Sequence, residues 1–268
     1  MKIGLIGAQN SHSRDFCEAI NKNPGAVIAY IYGGDDPAAC RRLCEDYGLE
    51  ECASEDELIG KSDAVVVTYR KGSVHYRPVI NAIKAGKPVF NDKPFATDLG
   101  EAREIVALAK ELKVPMSGGS SLKNLPGIDR IKESVKPGST TVISFAADPG
   151  SEYDGYWFYG CHAAELGLLL CGLDFIDVHS FNNNGVVVTS IAYADRTCVL
   201  VTSPESRGLA VAVTDDGKTA CYDVPMSYQD GAPGEFVRML ESGEPPRDYE
   251  FYAKSVELMS KICETAGI

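Results

Sequence analysis

The 268-residue sequence has no surplus of positive charge: 26 Lys and Arg stand against 38 Asp and Glu, a formal net charge of −12. Nucleic acid and anionic membranes need a basic surface, so neither is expected as a partner. No apolar run reaches the roughly 20 residues a spanning helix needs. Met1 leads straight into the strand-like KIGLIGA, with no apolar stretch after a basic start, so no secretory signal is read. The nine cysteines (17, 40, 44, 52, 161, 171, 198, 221 and 263) are odd in number and include no CxxC pair. They read as reduced thiols of a cytoplasmic protein. Cys40 and Cys44, one helical turn apart, are half a metal site with no paired histidine to complete it, so no metal is expected. At 44% hydrophobic and 24% charged, the chain has the balance of a soluble globular protein.

What is present falls into two rhythms. Up to about residue 119, apolar runs (KIGLI, AVIAYIY, DAVVVTY, KPVFN, VPMS) alternate with helical stretches (SRDFCEAINK, DPAACRRLCEDYG, SEDELIG, HYRPVINAIKAG, and residues 98–112). Ser54 and Glu57 form a capping box and Gly48 is a stop signal. Strands apolar on both faces and separated by helices predict a parallel, doubly wound, Rossmann-type α/β domain over 1–119. After SGGSS (117–121) come a strand TTVISFAA, an apolar helix GYWFYGCHAAELGLLLCG, five strands with short turns, and a helical tail. Residues 120–268 are therefore expected to form an α+β domain with a mainly antiparallel meander.

Two glycines are missing where a dinucleotide-binding turn would have them. That turn reads GxGxxG: the first glycine makes the turn, the second admits the pyrophosphate, and the third lets helix and strand pack closely. Here the residues are Gly7-Ala8-Gln9-Asn10-Ser11-His12, and Gly4, inside the strand, replaces neither loss. Two readings stand: a phosphate loop using the side chains of Asn10, Ser11 and Ser13, or an ordinary turn capped by Ser11 or Ser13. The second strand ends YIYGGDDP, so Asp35 and Asp36 lie where an acid would hold the adenosine ribose, or else cap the next helix. No arginine sits there to meet a 2′-phosphate, which favours NAD over NADP.

The stretch FNDKPFATD (90–98) delivers Asp92 and Lys93 to a strand tip and sets Pro94 behind them. The carboxyl ends of parallel strands form the ligand crevice. Further on, GYWFYGCHAAELG (155–167) puts His162 on an apolar helix with Glu165 one turn later. With the N-terminal IGLIGA, these stretches resemble the glucose–fructose oxidoreductase / inositol dehydrogenase (Gfo/Idh/MocA) family. That family shows a strand, a His after a turn, AGKxVxxEKPxA, and then a helix carrying GxHxxD. His75, Asp92-Lys93-Pro94 and Gly160-Cys161-His162 with Glu165 stand at those places.

The resemblance implies an NAD(P)-dependent oxidoreductase acting on a sugar, polyol or related hydroxy or keto compound, working as a homo-oligomer, a dimer or higher. It implies that Lys93, often before a cis proline, reaches substrate and nicotinamide ribose. It makes His162 the proton acceptor as a secondary alcohol loses hydride. The cofactor would rest on Gly7, Ala8, Gln9, Asn10, Ser11, Asp35, Asp36, Thr68, His75, Asp92, Lys93 and Pro94. The substrate would meet Lys123, Tyr156, Trp157 and Tyr159. Phe158 stands where the family has an acid four residues before the histidine; Asp154, Tyr156 and Tyr159 are the neighbours placed to compensate. Glu165 reads as a structural partner, His12 as a loop residue, and His179 is assigned no role. The departures at Gln9, His12, Phe158 and the second strand tip leave two other readings open. One is a non-catalytic relative that binds a ligand or a partner chain. The other is an enzyme that uses the cofactor transiently in elimination or hydrolysis.

Overall fold

The computed structural model describes residues 1–224 and 231–268. By its contacts the chain divides into two units: Met1–Gly119 with Ala232–Ala253, and Ser120–Gly231 with Lys254–Ile268.

In the first unit strands β1 (Lys2–Ile6), β2 (Val27–Tyr32), β3 (Glu50–Glu51), β4 (Ala64–Val67), β5 (Val89–Asn91) and β6 (Met116–Gly118) form one sheet. Helices α1 (Ser11–Ile20), α2 (Pro37–Tyr47), α3 (Glu55–Lys61), α4 (Tyr76–Lys84) and α5 (Leu99–Leu112) connect them. The order β3-β2-β1-β4-β5-β6, parallel throughout, is that of a doubly wound sheet. Every residue of β4 and β5 is buried, as expected of strands covered on both faces. The helix ends follow the sequence signals. Asp36 caps α2 through Ala38 N and Ala39 N, and Gly48 ends it at φ +68°. Ser54 caps α3, and Glu57 reaches back to the Ala53 N–H, one residue before the cap.

The second unit begins with α6 (Ile128–Ser134) and β7 (Thr140–Ala146). Helix α7 (Trp157–Cys171) follows, then β8 (Asp177–Asn183), β9 (Val186–Ala192), β10 (Thr197–Ser203), β11 (Leu209–Asp215) and β12 (Lys218–Val224). The expected simple meander is replaced by the order β12-β11-β7-β10-β9-β8. Strand β7 lies between β10 and β11, parallel to β10, and every other pairing is antiparallel. Alternation along β7 buries Thr141, Ile143 and Phe145 on one face. Helix α7 packs on β7 and β10, with Gly167 facing Ile143, Cys198 and Leu200. It is buried on nearly all sides, the environment that an all-round apolar helix requires.

The units keep the expected division after Gly119 and split the helical tail at Ala253. Helix α8 (Ala232–Ser242) and the start of α9 (Glu250–Ala266) pack with the first unit, not the second. The cause is aromatic: the Phe236 ring lies 6.4 Å from Phe16 and 5.9 Å from Phe90, which are 4.7 Å from each other. Tyr249 adds a polar tie, its hydroxyl accepting from Met116 N and donating to Val114 O, both at 2.9 Å.

Candidate functional site

In the first unit the altered loop keeps the geometry of a phosphate turn. Gly7 has φ +103°, and a Cβ there would stand 2.9 Å from Tyr69 N and 3.0 Å from the Thr68 carbonyl carbon. Only glycine makes this turn. Buried Thr68 and Ser13 brace it. Their hydroxyls are 2.9 Å apart, and both bond the Gly7 carbonyl. The cap of α1 is Asn10, whose Oδ1 accepts from His12 N at 3.2 Å; the sequence had pointed to Ser11 or Ser13. Ser11 opens the helix exposed, and Ser13 is drawn inward by Gly7 and Thr68.

The two candidate acids separate. Both carboxylate oxygens of Asp35 receive the loop, from Ala8 N at 2.9 Å and Gln9 N at 3.1 Å. Asp36 caps α2, its Oδ1 accepting from Ala38 N and Ala39 N.

His12 is also not a loop residue. It lies in the first turn of α1, and its Nδ1 is 2.7 Å from Oδ2 of Asp92, which also accepts from Asn10 Nδ2 at 3.0 Å. Burial pushes the Asp92 carboxyl up, but the His12 imidazole and then Lys93 outweigh it and hold it at about 2. Burial likewise pushes His12 down, and Asp92 more than reverses this, so its pKa is raised. The loop is thereby tied to the residue next to Lys93. The Lys93–Pro94 peptide is cis, and both residues are buried. Asn91 spans the bend, its Nδ2 donating to Phe95 O at 2.7 Å. His75 is fully buried, with Nε2 2.8 Å from the Tyr69 carbonyl, and so holds the segment after β4.

These residues fit a dinucleotide. The glycine turn is present, no acid in the first turn of α1 neutralises its positive end, and a carboxylate stands on the loop. Gln9 takes the place of a glycine with its N–H turned to Asp35, and His12 with its ring turned to Asp92.

In the second unit His162 has a partner that the sequence did not disclose. Its Nδ1 lies 2.6 Å from Ser120 Oγ, and that oxygen also accepts from Leu122 N at 3.1 Å. Ser120 Oγ keeps a second lone pair and its own proton, so it can accept from an Nδ1–H, which leaves Nε2 free to take a proton, or donate to a bare Nδ1. Ser120 is fixed on both sides of its backbone: its N–H donates to Glu165 Oε2 at 2.8 Å, and its carbonyl accepts from Lys123 Nζ at 2.9 Å. Lys123 and Glu165 are buried, 3.8 Å apart. Glu165 is the structural partner expected. Lys123 stands behind Ser120 in this buried cluster.

Phe158 fills the position of the acid with an aromatic cluster, its ring 4.7 Å from Tyr159 and 5.0 Å from Tyr153. The His162 ring lies against Phe145 and Tyr159, each at 5.4 Å. Tyr156 turns into the core, where its hydroxyl meets Thr202 at 2.9 Å, so it is not a substrate wall. Trp157 is half-buried and Tyr159 exposed. A cavity of about 460 Å³ is lined by Tyr153, Phe158 and Tyr159 together with Asp148 and Glu152.

Comparison with known proteins agrees with this geometry. Residues 1–120 match the sequence model of the GFO_IDH_MocA family, described as an oxidoreductase family with an NAD-binding Rossmann fold. An uncharacterized oxidoreductase of Streptococcus pneumoniae is 30% identical over 139 residues, 52% of this chain and 37% of that protein. An inositol 2-dehydrogenase of Cereibacter sphaeroides is 36% identical over 109 residues, 40% of this chain and 32% of that protein. The matches thus span about a third of the length of these curated relatives. Among solved structures, GenD2 from gentamicin A biosynthesis, in complex with NAD, superposes with TM-score 0.86 at 17% identity over 100% of this chain and 94% of that one. The apo scyllo-inositol dehydrogenase of Lactobacillus casei does so with TM-score 0.85 at 12% identity, over 100% and 96%. At such identities the structural likeness establishes the fold, in both units. The sequence likeness to the Gfo/Idh/MocA oxidoreductase family thus lies in residues 1–120 of this chain.

Proposed function

We propose that this protein is an NAD(P)-dependent oxidoreductase that moves hydride between the nicotinamide and a secondary alcohol or ketone of a sugar, polyol or related compound. The observation that carries this reading is the link between loop and strand tip: Asn10 and His12 of the turn both bond Asp92, the neighbour of Lys93. In a doubly wound sheet that corner is where a dinucleotide lies. Gly7, Ala8, Gln9, Asn10 and Ser11 would hold the pyrophosphate, and Asp35 the adenosine ribose. Thr68 shapes the turn, and Asp92, Lys93, Pro94 and His75 form the nicotinamide end. When bound, the cofactor supplies the hydride acceptor or donor.

The chain's own groups handle the proton. In alcohol oxidation His162, with Nδ1–H donating to Ser120 Oγ, takes the hydroxyl proton on Nε2 as the C–H electrons leave with the hydride; in ketone reduction the imidazolium returns that proton from Nε2. Ser120 holds the ring in one orientation through Nδ1. Lys93, a fixed cation, favours negative charge on the substrate oxygen. Tyr159 and Trp157 offer aromatic faces to a sugar-like ring.

The protein is proposed to act in a cytoplasm as a homo-oligomer. Nine free thiols favour the compartment, and no described helix is long and apolar enough to cross a membrane. The exposed Ile176, Phe181, Val186 and Val188, before and on β8 and β9, favour a covered sheet face. The test is turnover of NAD or NADP with a panel of polyols and sugars. The reading expects activity with at least one member that disappears in His162→Ala; equal activity in that variant would overturn the assignment.

A further inference from the structure

The structure completes the half site that the sequence offered at Cys40 and Cys44. The third group is Glu51, seven residues beyond Cys44, and β3 brings it beside the helix. The two sulfur atoms and one carboxylate oxygen of Glu51 all lie within 4.8 Å of one another. We propose that Cys40, Cys44 and Glu51 bind a zinc-class divalent cation, with water in the fourth position.

The local architecture favours this arrangement. Positions i and i+4 of a helix share a face, so α2 presents both sulfurs together. The helix is anchored at its start by Asp36 and at its end by Gly48, and Glu51 is fixed in β3, which pairs with β2. Gly33 lies against the Cβ and Sγ of Cys40, where any side chain at 33 would collide. Cys40 is buried, Cys44 half-buried and Glu51 exposed, which leaves one side of the cluster open to water. The three groups thus converge without a metal.

The donor chemistry selects the ion. Two thiolates and one carboxylate suit zinc and disfavour magnesium or calcium, which want an all-oxygen shell. Zinc holds sulfur at about 2.3 Å and carboxylate oxygen at about 2.0–2.2 Å in a tetrahedron, so its ligand atoms stand about 3.5–3.8 Å apart. The present spread of up to 4.8 Å would have to contract by about 1 Å on binding, toward these spacings. Glu45 adds negative charge beside Cys44, while Lys61 is engaged by Glu50 and Glu57. Uptake of M²⁺ releases the two thiol protons and changes no oxidation state. A metal here would clamp α2 to the sheet edge at β3.

The test is titration of reduced, chelator-stripped full-length protein with Co²⁺ and then Zn²⁺. The expected result is one equivalent of Co²⁺ giving a thiolate-to-cobalt band and the visible bands of a tetrahedral ion, both displaced by Zn²⁺. Zn²⁺ should also raise the melting temperature of the parent protein. Cys44→Ser should abolish the charge-transfer band or halve it with much weaker binding. Glu51→Gln should weaken binding by more than about tenfold, since losing a ligand costs at least as much as losing an outer partner. Both substituted side chains reach solvent, so the variants should fold, as circular dichroism would verify. Cys221→Ser, at an exposed thiol elsewhere, should change nothing. No cobalt bands in the parent protein, bands unchanged in Cys44→Ser, or a Cys40–Cys44 disulfide forming in air without metal retention would each overturn the proposal. None of these readouts depends on the oxidoreductase reading.

Discussion

His12 Nδ1 lies 2.7 Å from Asp92 Oδ2, joining the first turn of α1 to the tip of β5 across 80 residues of chain. The pair gives a pH signature. His12 titrates above its ordinary 6.5, and Asp92 below its ordinary 3.8. The imidazolium's contribution to stability is complete below 6.5 and is lost as pH rises through the raised value. The carboxylate's is complete above 3.8 and is lost as pH falls toward about 2. Both act fully between those limits. Asp92→Asn should therefore cost about 2 kcal/mol near pH ~5, and less once His12 has lost its proton. Urea unfolding of both proteins at about pH 5 and pH 9 checks this; a gap that is the same at both would contradict it.

Ser120 is a positioning residue for His162. His162→Ala should cost about 10²–10⁴ in turnover, the usual worth of a general acid–base group. Ser120→Ala keeps that group and should cost about tenfold or more in kcat with KM little changed, because the ring loses its Nδ1 partner. The pH profile of kcat/KM should shift with it, and Ser120→Thr should recover part of the loss. An unchanged profile in Ser120→Ala would reduce the contact to packing.

Lys93→Ala should abolish turnover while leaving the far-ultraviolet spectrum intact, since Lys93 sits at the end of a formed strand and not within one. Lys93→Arg should recover little, because a planar guanidinium does not replace a compact ammonium at a buried site. Turnover near the parent level in Lys93→Ala would exclude the residue from the chemistry.

Phe236, late in the chain, is fully buried against Phe16 and Phe90. Phe236→Ala should cost about 3–5 kcal/mol, as for other buried aromatic truncations. Its increased hydrogen exchange should appear in β1, β5 and α1, and not only in α8. Exchange confined to α8 would contradict the assignment of that helix to the first unit.

Most of the parallel sheet was legible, because strands such as Ala64–Val67 are apolar on both faces and the helices between them carry their own caps. The place of β7 was not: its pairing with β10 joins Thr140 to Thr197, and no local pattern records so distant a partner. Phe236 carried no sign that it belongs with Phe16. Lys93, His162 and the cis peptide could be located from the family resemblance, but their supports could not. Asp35 and Asp36 are equivalent on paper, and only the backbone decides which meets the loop and which caps α2. Ser120 stood in SGGSS, which marked only a change of rhythm along the chain. The unexplained Phe158 signalled that His162 must find another partner, without saying where.

The most direct measurement is a calorimetric titration of NADH, and then NADPH, into the purified protein. The account expects saturable binding of one dinucleotide per chain, tighter for NADH because Asp35 and not an arginine meets the loop, and weakened in Asp35→Ala. A folded protein that binds neither dinucleotide would contradict the claim that this loop, with Gln9 and His12 in place of glycines, holds a cofactor.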